Sequence, residues 1–374
     1  MEFMTTWTAV RGQVQVWGGP CPQVRNCRQE WRERWGVLLE VFDEEGRRGV
    51  GEASPLPGFS QDTLEECFQA LTAWCRALPL AVNMFYLQKL PAVLPLPPAA
   101  RFAVETALLD LQGRRGGVPL TRLLARELYE PIFVSKLLSG RWLGSLAEQV
   151  RRGLAEGFHT FKVKLGGVEH ATEDVKLAQD LRAAVPGEWR LRVDLNGAWN
   201  CTQWERLHRG FADAGVELVE DPVPKAELQS LPGGAVPVAA DEALKDEDTW
   251  LPLARSGTCS LWILKPTVLG GFQRCRQLSA LAHSHGIETV VTHCFEGPVG
   301  LAAVRAVAQL CGAARHPDAP RTPRASRWDI RWQDCYAHGV DLHGALTAFP
   351  PLPVPGGGAP ELYPWVDAGL GLAP

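Results

Sequence analysis

The sequence lacks the features that mark several large classes of protein. It has no apolar run of about eighteen residues or more, the length that a membrane-spanning helix requires. Its first residues, Met1–Val10, have neither the basic start nor the apolar stretch of a signal peptide. The formal net charge of −4 offers no electrostatic basis for binding nucleic acid or an anionic membrane. We therefore expect a cytoplasmic protein that has neither kind of partner.

Two common cofactor motifs are also missing. The ten cysteines form no CxxC pair and no Cys/His cluster at zinc-binding spacing. No GxGxxG follows an early strand, so nothing supports a dinucleotide-binding domain. In a chain of 374 residues, free buried thiols of a reducing compartment explain the cysteines best.

A regular alternation begins near Ile132, where short apolar stretches alternate with longer amphipathic ones. The predicted strands are Phe133–Leu138, Thr160–Leu165, Leu191–Leu195, Val216–Glu220, Val236–Ala240, Ser260–Leu264 and Glu288–Thr292. The predicted helices between them include Ser145–Glu156, Ala171–Ala184, Cys201–Ala214 and Phe272–His285. This alternation predicts parallel βαβ units, and seven or eight of them favour a closed barrel over an open sheet.

The N-terminal part has a different pattern. Val14–Trp17 and Val37–Phe42 are predicted antiparallel strands, and Gln61–Leu78 is a predicted helix. The Pro-rich stretch Leu90–Pro98 is predicted to be a linker, and Ala99–Gly113 a helix that follows it. We therefore expect an α/β protein in which an α+β cap precedes the barrel.

Three parts are expected along the chain. Residues 1–98 would form the cap, residues 99–325 a modified TIM barrel, and residues 326–374 a segment that completes both. Two stretches near the C-terminus, His316–Arg324 and Pro350–Gly358, are rich in Pro or Gly and are predicted to be irregular.

Charged residues stand at the C-terminal ends of the predicted barrel strands, where side chains converge on one site. One strand carries two lysines, Lys162 and Lys164. The next four strands end in Asp194, Glu220, Asp241 and Lys265. A single acidic residue at a strand end is more often a helix cap or part of a salt bridge, but three in successive units favour a metal site. Because neither Cys nor His accompanies them, the best candidate is Mg²⁺.

Lysines beside such a metal suit proton abstraction next to a carboxylate. A divalent metal acts as a Lewis acid that stabilises the enediolate formed when the α-proton leaves. Lys162 and Lys164 share one face of the strand, since side chains repeat every two residues. The charge of Lys162 and the metal would disfavour protonated Lys164 and so keep it a base. Two solvated lysines at a strand end are the alternative.

These motifs resemble the enolase superfamily, and within it the muconate-lactonizing subgroup. The resemblance spans roughly Gly51 to Leu301 and rests on the segments FKVKLG, RVDLNGAW, ELVEDPV, AADEAL and ILKPTVLGG, and on VETALLDLQGRRGGVPLTRLL before them. It implies an enolase-type (β/α)7β barrel with an N-terminal α+β capping domain.

The segment Gly51–Cys67, GEASPLPGFSQDTLEEC, resembles the capping segment of the o-succinylbenzoate synthase family. It implies a hydro-lyase that converts 2-succinyl-6-hydroxy-2,4-cyclohexadiene-1-carboxylate to o-succinylbenzoate by Mg²⁺-dependent syn-dehydration, in menaquinone or phylloquinone biosynthesis. The partner would be this small carboxylate, bound by a monomer or a small homo-oligomer.

The resemblance also implies a role for each strand-end residue. Asp194, Glu220 and Asp241 would bind Mg²⁺, for which Mn²⁺ can substitute. Lys164 would abstract the α-proton and then protonate the departing hydroxyl. Lys265 would lie on the opposite face of the substrate and stabilise the developing charge.

Further residues are expected to bind substrate. They are Lys162, Asn196, Gly58, Phe59, Ser60, Thr292 and His293. Arg192 is either a support for the lysines and the metal ligands or an ordinary surface arginine. The region Pro20–Arg34 corresponds to a mobile loop in the family, and its arginines either supply a cation to the substrate or are solvated: Arg25, Arg28, Arg32 and Arg34. This region and Gly51–Gln61 are predicted to cover the mouth of the barrel.

The seventh strand departs from the family pattern. Thr292, His293 and Cys294 stand where serines are usual, while Glu296 and Gly300 keep the pattern. Backbone N–H groups there can still receive a succinyl carboxylate. His293 also raises the alternative of a histidine base, as in the mandelate-racemase subgroup, but that subgroup has Asp where this chain has Lys265.

Other reactions suit the same residues. N-acylamino acid racemisation and dipeptide epimerisation both need a lysine on each face of the substrate. Dipeptide epimerases usually add D-x-D on the eighth strand, where GVDLHG has Asp341 alone. A muconate-type cycloisomerase is disfavoured by the segment Gly58–Gln61. A non-catalytic protein on this fold is disfavoured because every strand-end position keeps a chemically usable residue.

Overall fold

The computed structural model describes residues 6–25, 29–124, 132–167, 170–311 and 361–362. In this part of the chain, the N-terminal strands form an antiparallel sheet in the order β3-β2-β1-β4. Their bounds are β1 Trp7–Arg25, β2 Glu30–Asp43, β3 Arg48–Ala53 and β4 Leu80–Val82. Two helices, α1 (Leu64–Arg76) and α2 (Met84–Val93), accompany the sheet.

The second unit is a parallel sheet in which the spatial order of the strands follows their order in the chain, from β6 to β12. Its strands are β6 Ser135–Leu138, β7 Thr160–Lys164, β8 Arg190–Asp194, β9 Val216–Glu220, β10 Val238–Ala240, β11 Leu261–Leu264 and β12 Glu288–Val291. A short strand before them, β5 (Ile132–Phe133), pairs with β13 (Glu361–Leu362). A half-barrel of parallel strands therefore follows the strand-rich N-terminal sheet.

Helices precede, connect and follow the strands of this sheet. They are α3 Pro98–Gly116, α4 Leu120–Leu124, α5 Leu143–Ala155, α6 Ala171–Ala184, α7 Cys201–Asp213, α8 Lys225–Leu228, α9 Glu247–Ser256, α10 Pro266–Leu269, α11 Phe272–Ser284 and α12 Pro298–Cys311, with a 3₁₀ turn at Glu242–Lys245. Among the described residues, no helix is both long and apolar enough to cross a membrane.

Alternation along each strand decides which side chains face the site. On β11, Trp262 and Leu264 pack in the large core shared with the helices. Leu261 and Ile263 instead pack in a small separate cluster with residues of β9, β10 and β12. Because side chains alternate between the two faces, Lys265 continues the face of Leu261 and Ile263. The apolar layer inside the barrel therefore lies next to the charged residues at the strand ends.

The expected fold class is confirmed, and all seven predicted barrel strands are present, although the eighth-strand candidate around Asp341 lies outside the described residues. The predicted linker Leu90–Pro98 is partly wrong, because α2 continues to Val93. The stretches His316–Arg324 and Pro350–Gly358 are not described. The expected division into residues 1–98, 99–325 and 326–374 stays a prediction.

The predicted loop Pro20–Arg34 is largely strand. β1 and β2 pair up to Val24 with Trp31 and Arg25 with Glu30, so only the tip of a long hairpin lies between them. Apolar residues alternate along β2, and Trp31 is buried, which is why this stretch extends as a strand. The side chains of Arg25 and Arg28 lie outside what the structure describes.

Candidate active site

Strand register brings the predicted acidic and basic residues together. Lys164 is the parallel partner of Asp194, and Asp194 is the partner of Glu220, so the three form one row across β7, β8 and β9. Asp241 follows the last residue of β10, and Lys265 follows the last residue of β11. All five therefore stand at the same edge of the sheet.

Each of the three carboxylates is held by a lysine. The Lys162 ammonium lies 2.6 Å from Glu220 Oε2 and 2.9 Å from Asp194 Oδ2. The Lys164 ammonium lies 2.8 Å from the same Asp194 oxygen. Lys265 donates to Asp241. The carboxylates are almost fully buried, so these contacts neutralise charge that water does not reach.

Burial and charge act in opposite directions on these groups. Burial alone would raise the pKa of Asp194, but Lys162 and Lys164 outweigh it and hold that pKa well below its usual range. Burial and the charge of Asp194 raise the pKa of Glu220 to about 7, against the opposing effect of Lys162. Burial disfavours the charge of Lys265, but Asp241 and Glu220 raise its pKa above the ordinary value.

The residues present suit a divalent metal. Among the described residues, no three His, Cys, Asp or Glu side chains are already gathered around one point, because the lysine ammonium groups lie between the carboxylates. Glu220 Oε1 is nonetheless buried and has no hydrogen-bond partner. A carboxylate oxygen left without a partner in a buried site is costly, and a cation would satisfy it. The candidate donors are all carboxylates, the hard ligands that Mg²⁺ prefers.

Residues around the carboxylates fix their positions. Asp221 has a positive φ of 41°, and its carboxylate accepts the N–H groups of Asp241 and Glu242 at 3.0 and 2.9 Å. Sequence reasoning missed Asp221, although it directly follows Glu220. The predicted surface alternative for Arg192 is wrong, because this side chain is buried and donates to Glu217 at 2.5 Å.

A cleft opens above the strand ends. Its floor includes all three lysines, Lys162, Lys164 and Lys265, and residues 135 and 137 of β6. Trp31, Leu56 and Phe59 of the N-terminal part also line it, so both segments that were predicted to cover the barrel mouth contribute to its wall. The Lys265 ammonium lies 4.4 Å from the centroid of the Phe59 ring.

The predicted substrate-binding residues divide into two groups. Lys162, Phe59, Thr292 and His293 line the cleft. Gly58, Ser60 and Asn196 are not among its lining residues in the described part of the chain. Ser60 Oγ accepts the N–H of Leu56, and the Asn196 N–H donates to Asp194 Oδ1 at 3.1 Å. Their substrate contacts stay a prediction.

The loop after β12 also lines the cleft. Thr292 Oγ1 is buried there without a hydrogen-bond partner. His293 Nδ1 accepts the N–H of Phe295, which places the ring proton of neutral His293 on Nε2. Glu296 is buried beneath the loop and accepts the Cys294 N–H at 2.6 Å. The residues that replace the usual serines therefore face the cleft, and Glu296 shapes their loop.

Arg34 joins the two units of the structure. Its buried guanidinium donates to the carbonyls of Ser54, Pro55 and Phe295 at 2.8, 3.0 and 2.9 Å. It therefore acts as a tether, and it is not among the described residues that line the cleft. Arg32 is exposed and pairs with Glu30 at 2.6 Å. Arg32 therefore fits the alternative of a solvated arginine.

Lys245 is a further lysine that sequence reasoning overlooked. It lies four residues after Asp241, in the 3₁₀ turn that follows β10, and its Nζ is 3.5 Å from the centroid of the Phe59 ring. Its position shortly after the end of β10 could have identified it from the sequence, since residues just after a barrel strand reach the site.

Two protein families match this chain. The family described as "Enolase C-terminal domain-like" matches residues 145–351, which include every strand-end residue discussed above. The chain belongs to the enolase superfamily. The family "MenC, N-terminal domain" matches residues 23–110 of this superfamily member, the part that contributes Trp31, Leu56 and Phe59 to the cleft.

Relatives with three different activities are about equally similar to this superfamily member. Muconate cycloisomerase 1-1 from Acinetobacter lwoffii is 31% identical over 67% of this chain and 69% of its own length. The o-succinylbenzoate synthase of Pasteurella multocida is 28% identical over 74% and 79%, respectively. A solved structure of the dipeptide epimerase from Methylococcus capsulatus, complexed with Mg and the dipeptide L-Arg-D-Lys, is 27% identical with a TM-score of 0.73 over 81% of this chain and 87% of that one. Overall similarity therefore identifies an enolase-superfamily enzyme and does not separate these reactions.

Proposed function

We propose that this chain is an o-succinylbenzoate synthase, which dehydrates 2-succinyl-6-hydroxy-2,4-cyclohexadiene-1-carboxylate in menaquinone or phylloquinone biosynthesis. The observation that carries the proposal is the match of residues 23–110 to the MenC N-terminal domain. This part of the chain supplies one wall of the cleft through Trp31, Leu56 and Phe59. Substrate selection in a barrel enzyme depends on such walls, whereas the strand ends supply the chemistry.

The reaction follows from the two lysines that line the cleft. Neutral Lys164 takes the proton from the ring carbon that bears the carboxylate, and then returns this proton to the departing hydroxyl, which leaves as water. The ring becomes aromatic, and Lys164 is neutral again. Lys265 stands on a different strand, with β8, β9 and β10 between, and its ammonium stabilises the negative charge that develops.

Mg²⁺ would be held by Asp194, Glu220 and Asp241, and when bound it supplies Lewis-acid stabilisation of the substrate carboxylate. Lys162 contacts two of these acids in the structure and is placed to donate a hydrogen bond to the same substrate carboxylate. The buried unpartnered oxygen of Glu220 supports this assignment.

The rest of the cleft suits an anionic, partly apolar substrate. Trp31, Phe59 and Phe295 are large aromatic side chains that can cover a ring. Thr292 and His293 offer a hydroxyl and a ring N–H to the oxygens of the succinyl group. Among the described residues that line the cleft, none is Asp or Glu.

Epimerisation of a dipeptide, or racemisation of an N-acylamino acid, is the second candidate. The pair Lys164 and Lys265 supports it, because these reactions need a proton-transfer group on each face. A dipeptide ammonium would, however, find no carboxylate among the described lining residues of the cleft. Asp341, the candidate partner from the sequence, lies outside the described residues.

The proposal is tested with the purified full chain and the succinyl-hydroxycyclohexadiene carboxylate. We expect o-succinylbenzoate to form with Mg²⁺, activity to stop in EDTA, and activity to return when Mg²⁺ is added. Parallel assays use dipeptides, N-succinyl amino acids and muconate. Turnover of one of these with no dehydration would reject the synthase assignment in favour of the corresponding relative's reaction.

A further inference from the structure

The side chain of Lys245 attaches the turn that carries Phe59 to the barrel. The Lys245 ammonium donates to the Phe59 carbonyl at 2.8 Å and lies 3.5 Å from the centroid of its ring. The Lys265 ammonium lies 4.4 Å from the same centroid. Phe59 therefore contacts two cations, one from the site itself and one from the turn after β10.

The Phe59 turn is internally rigid. The N–H groups of Phe59 and Ser60 both donate to the Leu56 carbonyl, at 3.0 and 2.8 Å. Ser60 Oγ accepts the Leu56 N–H at 2.9 Å. A turn closed in this way moves as one body, so a contact at Phe59 positions Leu56 as well.

A second contact joins the same two segments more weakly. Gln61 Nε2 donates to the Lys245 carbonyl at 3.3 Å and to Asp246 Oδ1 at 3.2 Å. Both bonds are exposed and long, whereas Lys245 is partly buried. The Lys245 bond is shorter, at 2.8 Å, and partly shielded from water, so Lys245 makes the dominant attachment.

We propose that Lys245 is a positioning residue that holds Phe59 over the Lys265 side of the cleft and so limits the substrates that the cleft accepts. This inference rests on the proposed function for its substrate. Lys245 would touch neither substrate nor metal in this role. It acts through the ring and the carbonyl of Phe59, which form the wall.

The expected kinetic effect follows from preorganisation. Without the Lys245 ammonium, the Phe59 turn must be ordered when substrate binds, and this ordering weakens binding. Lys164 and the carboxylates are unchanged, so the chemical step keeps its rate. For Lys245→Met we expect KM to rise about tenfold and kcat to stay within about threefold, as the loss of one cation contact predicts.

The experiment compares Lys245→Met and Lys245→Arg with wild type and with Lys176→Met. Lys176 is an exposed lysine paired with Asp180, so its loss controls for removal of a surface charge. Hydrogen exchange of the peptide that contains Leu56–Gln61 is measured without substrate, followed by KM and kcat. Faster exchange and a higher KM in Lys245→Met, with recovery towards wild type in Lys245→Arg, would support the role.

Three other outcomes have distinct meanings. Unchanged exchange in Lys245→Met would overturn the positioning role, whatever the substrate is. A fall in kcat with unchanged KM would overturn it as well, because Lys245 would then act on the chemical step. If the wild-type protein fails to dehydrate the cyclohexadiene substrate, only the proposed function is rejected, because the hydrogen-exchange comparison still decides the role of Lys245.

Discussion

Lys164 and Lys265 are the same residue type in two different surroundings. Lys164 shares one oxygen of Asp194 with Lys162, so three charged groups meet at that point. Lys265 is bound to Asp241 and lies against the ring of Phe59. A syn-dehydration needs proton transfer on one face only, because the base and the acid can be the same residue. The two lysines therefore have separable roles in the proposed reaction.

Substitution of Lys164 should abolish dehydration. Lys164→Ala removes the base, and Lys164→Arg should fail almost as badly because arginine stays protonated. We expect kcat to fall by about 10²–10⁴-fold, the usual contribution of a positioned proton-transfer group. The measurements are steady-state kinetics and solvent-deuterium incorporation.

Lys265→Arg is the matched comparison, because it keeps the positive charge on the opposite face. It should retain measurable dehydration and lose any racemase activity. Near wild-type dehydration by Lys164→Ala would show that the assigned base is wrong.

Metal binding gives a second test at the residue scale. Glu220→Gln removes a charged ligand but keeps the volume of the side chain. We expect Mg²⁺ affinity to fall by more than the roughly 10–100-fold that loss of an outer-shell partner causes. Isothermal titration with Mg²⁺ measures this, with Asp180→Asn on the surface as the control. Equal affinity in Glu220→Gln and wild type would remove Glu220 from the metal site.

Among the elements, helices and strands with strong local signals were predicted well from the sequence. The bounds of α6 and β9 agree with the predicted Ala171–Ala184 and Val216–Glu220. The strand that was predicted to begin at Val236 begins at Val238, because Pro237 precedes it and has no backbone N–H for strand pairing. The predicted antiparallel strands of β1 and β2 are present, but their extension through Pro20–Arg34 was missed. The polar, arginine-rich residues there resemble those of a loop, whereas pairing between the two strands decides their structure.

Helix α1 allows a test of local stability. Its N-cap, Thr63, accepts the Glu66 N–H, and the Glu66 side chain accepts the Thr63 N–H in return. Thr63→Ala should lower the free energy of unfolding by about 0.5–2 kcal/mol, whereas Thr63→Ser should preserve most of it. Urea denaturation of both variants measures the difference. If Thr63→Ser lowers the free energy of unfolding as much as Thr63→Ala does, the methyl group of Thr63 matters and the cap does not.

In the whole molecule, the cap and the barrel meet through buried polar contacts. Arg34 of β2 donates to the carbonyl of Phe295, which follows β12. Glu52 of β3 accepts the N–H groups of Gly297 and Gly300 at 2.6 and 2.9 Å, next to the start of α12. Burial raises the pKa of Glu52, although these N–H groups and Ser54 oppose the shift. These contacts hold the wall of the cleft against its floor.

Removal of Arg34 should therefore affect both stability and substrate binding. Arg34→Met leaves several buried carbonyls without a donor, so we expect a loss of at least about 2 kcal/mol in unfolding free energy and a higher KM. Arg32→Met, on the same strand but exposed, should change stability by less than about 0.5 kcal/mol. Urea denaturation and kinetics of both variants make the comparison, and equal losses would contradict the tether.

The candidate site was only partly predictable at this scale. Strand-end residues such as Asp194 and Lys265 follow from the βα alternation, because each strand brings its own last residue to the same edge. The roles of Trp31 and Lys245 do not follow from this alternation. Trp31 lines the cleft from the cap, and Lys245 holds Phe59 of the cap from the barrel. Such contacts between the cap and the barrel are encoded by no local pattern in the sequence.

The row formed by Lys164, Asp194 and Glu220 has a consequence for how such a site can vary. Adjacent strands are separated by a hydrogen-bond repeat of about 4.8 Å, which no loop sequence alters. The distances among these groups therefore change only in whole strand steps or by the length of a side chain, as between Asp and Glu. Insertions in the loops and replacement of the cap leave this spacing intact, so new substrates can be acquired while the reactive groups keep their separation.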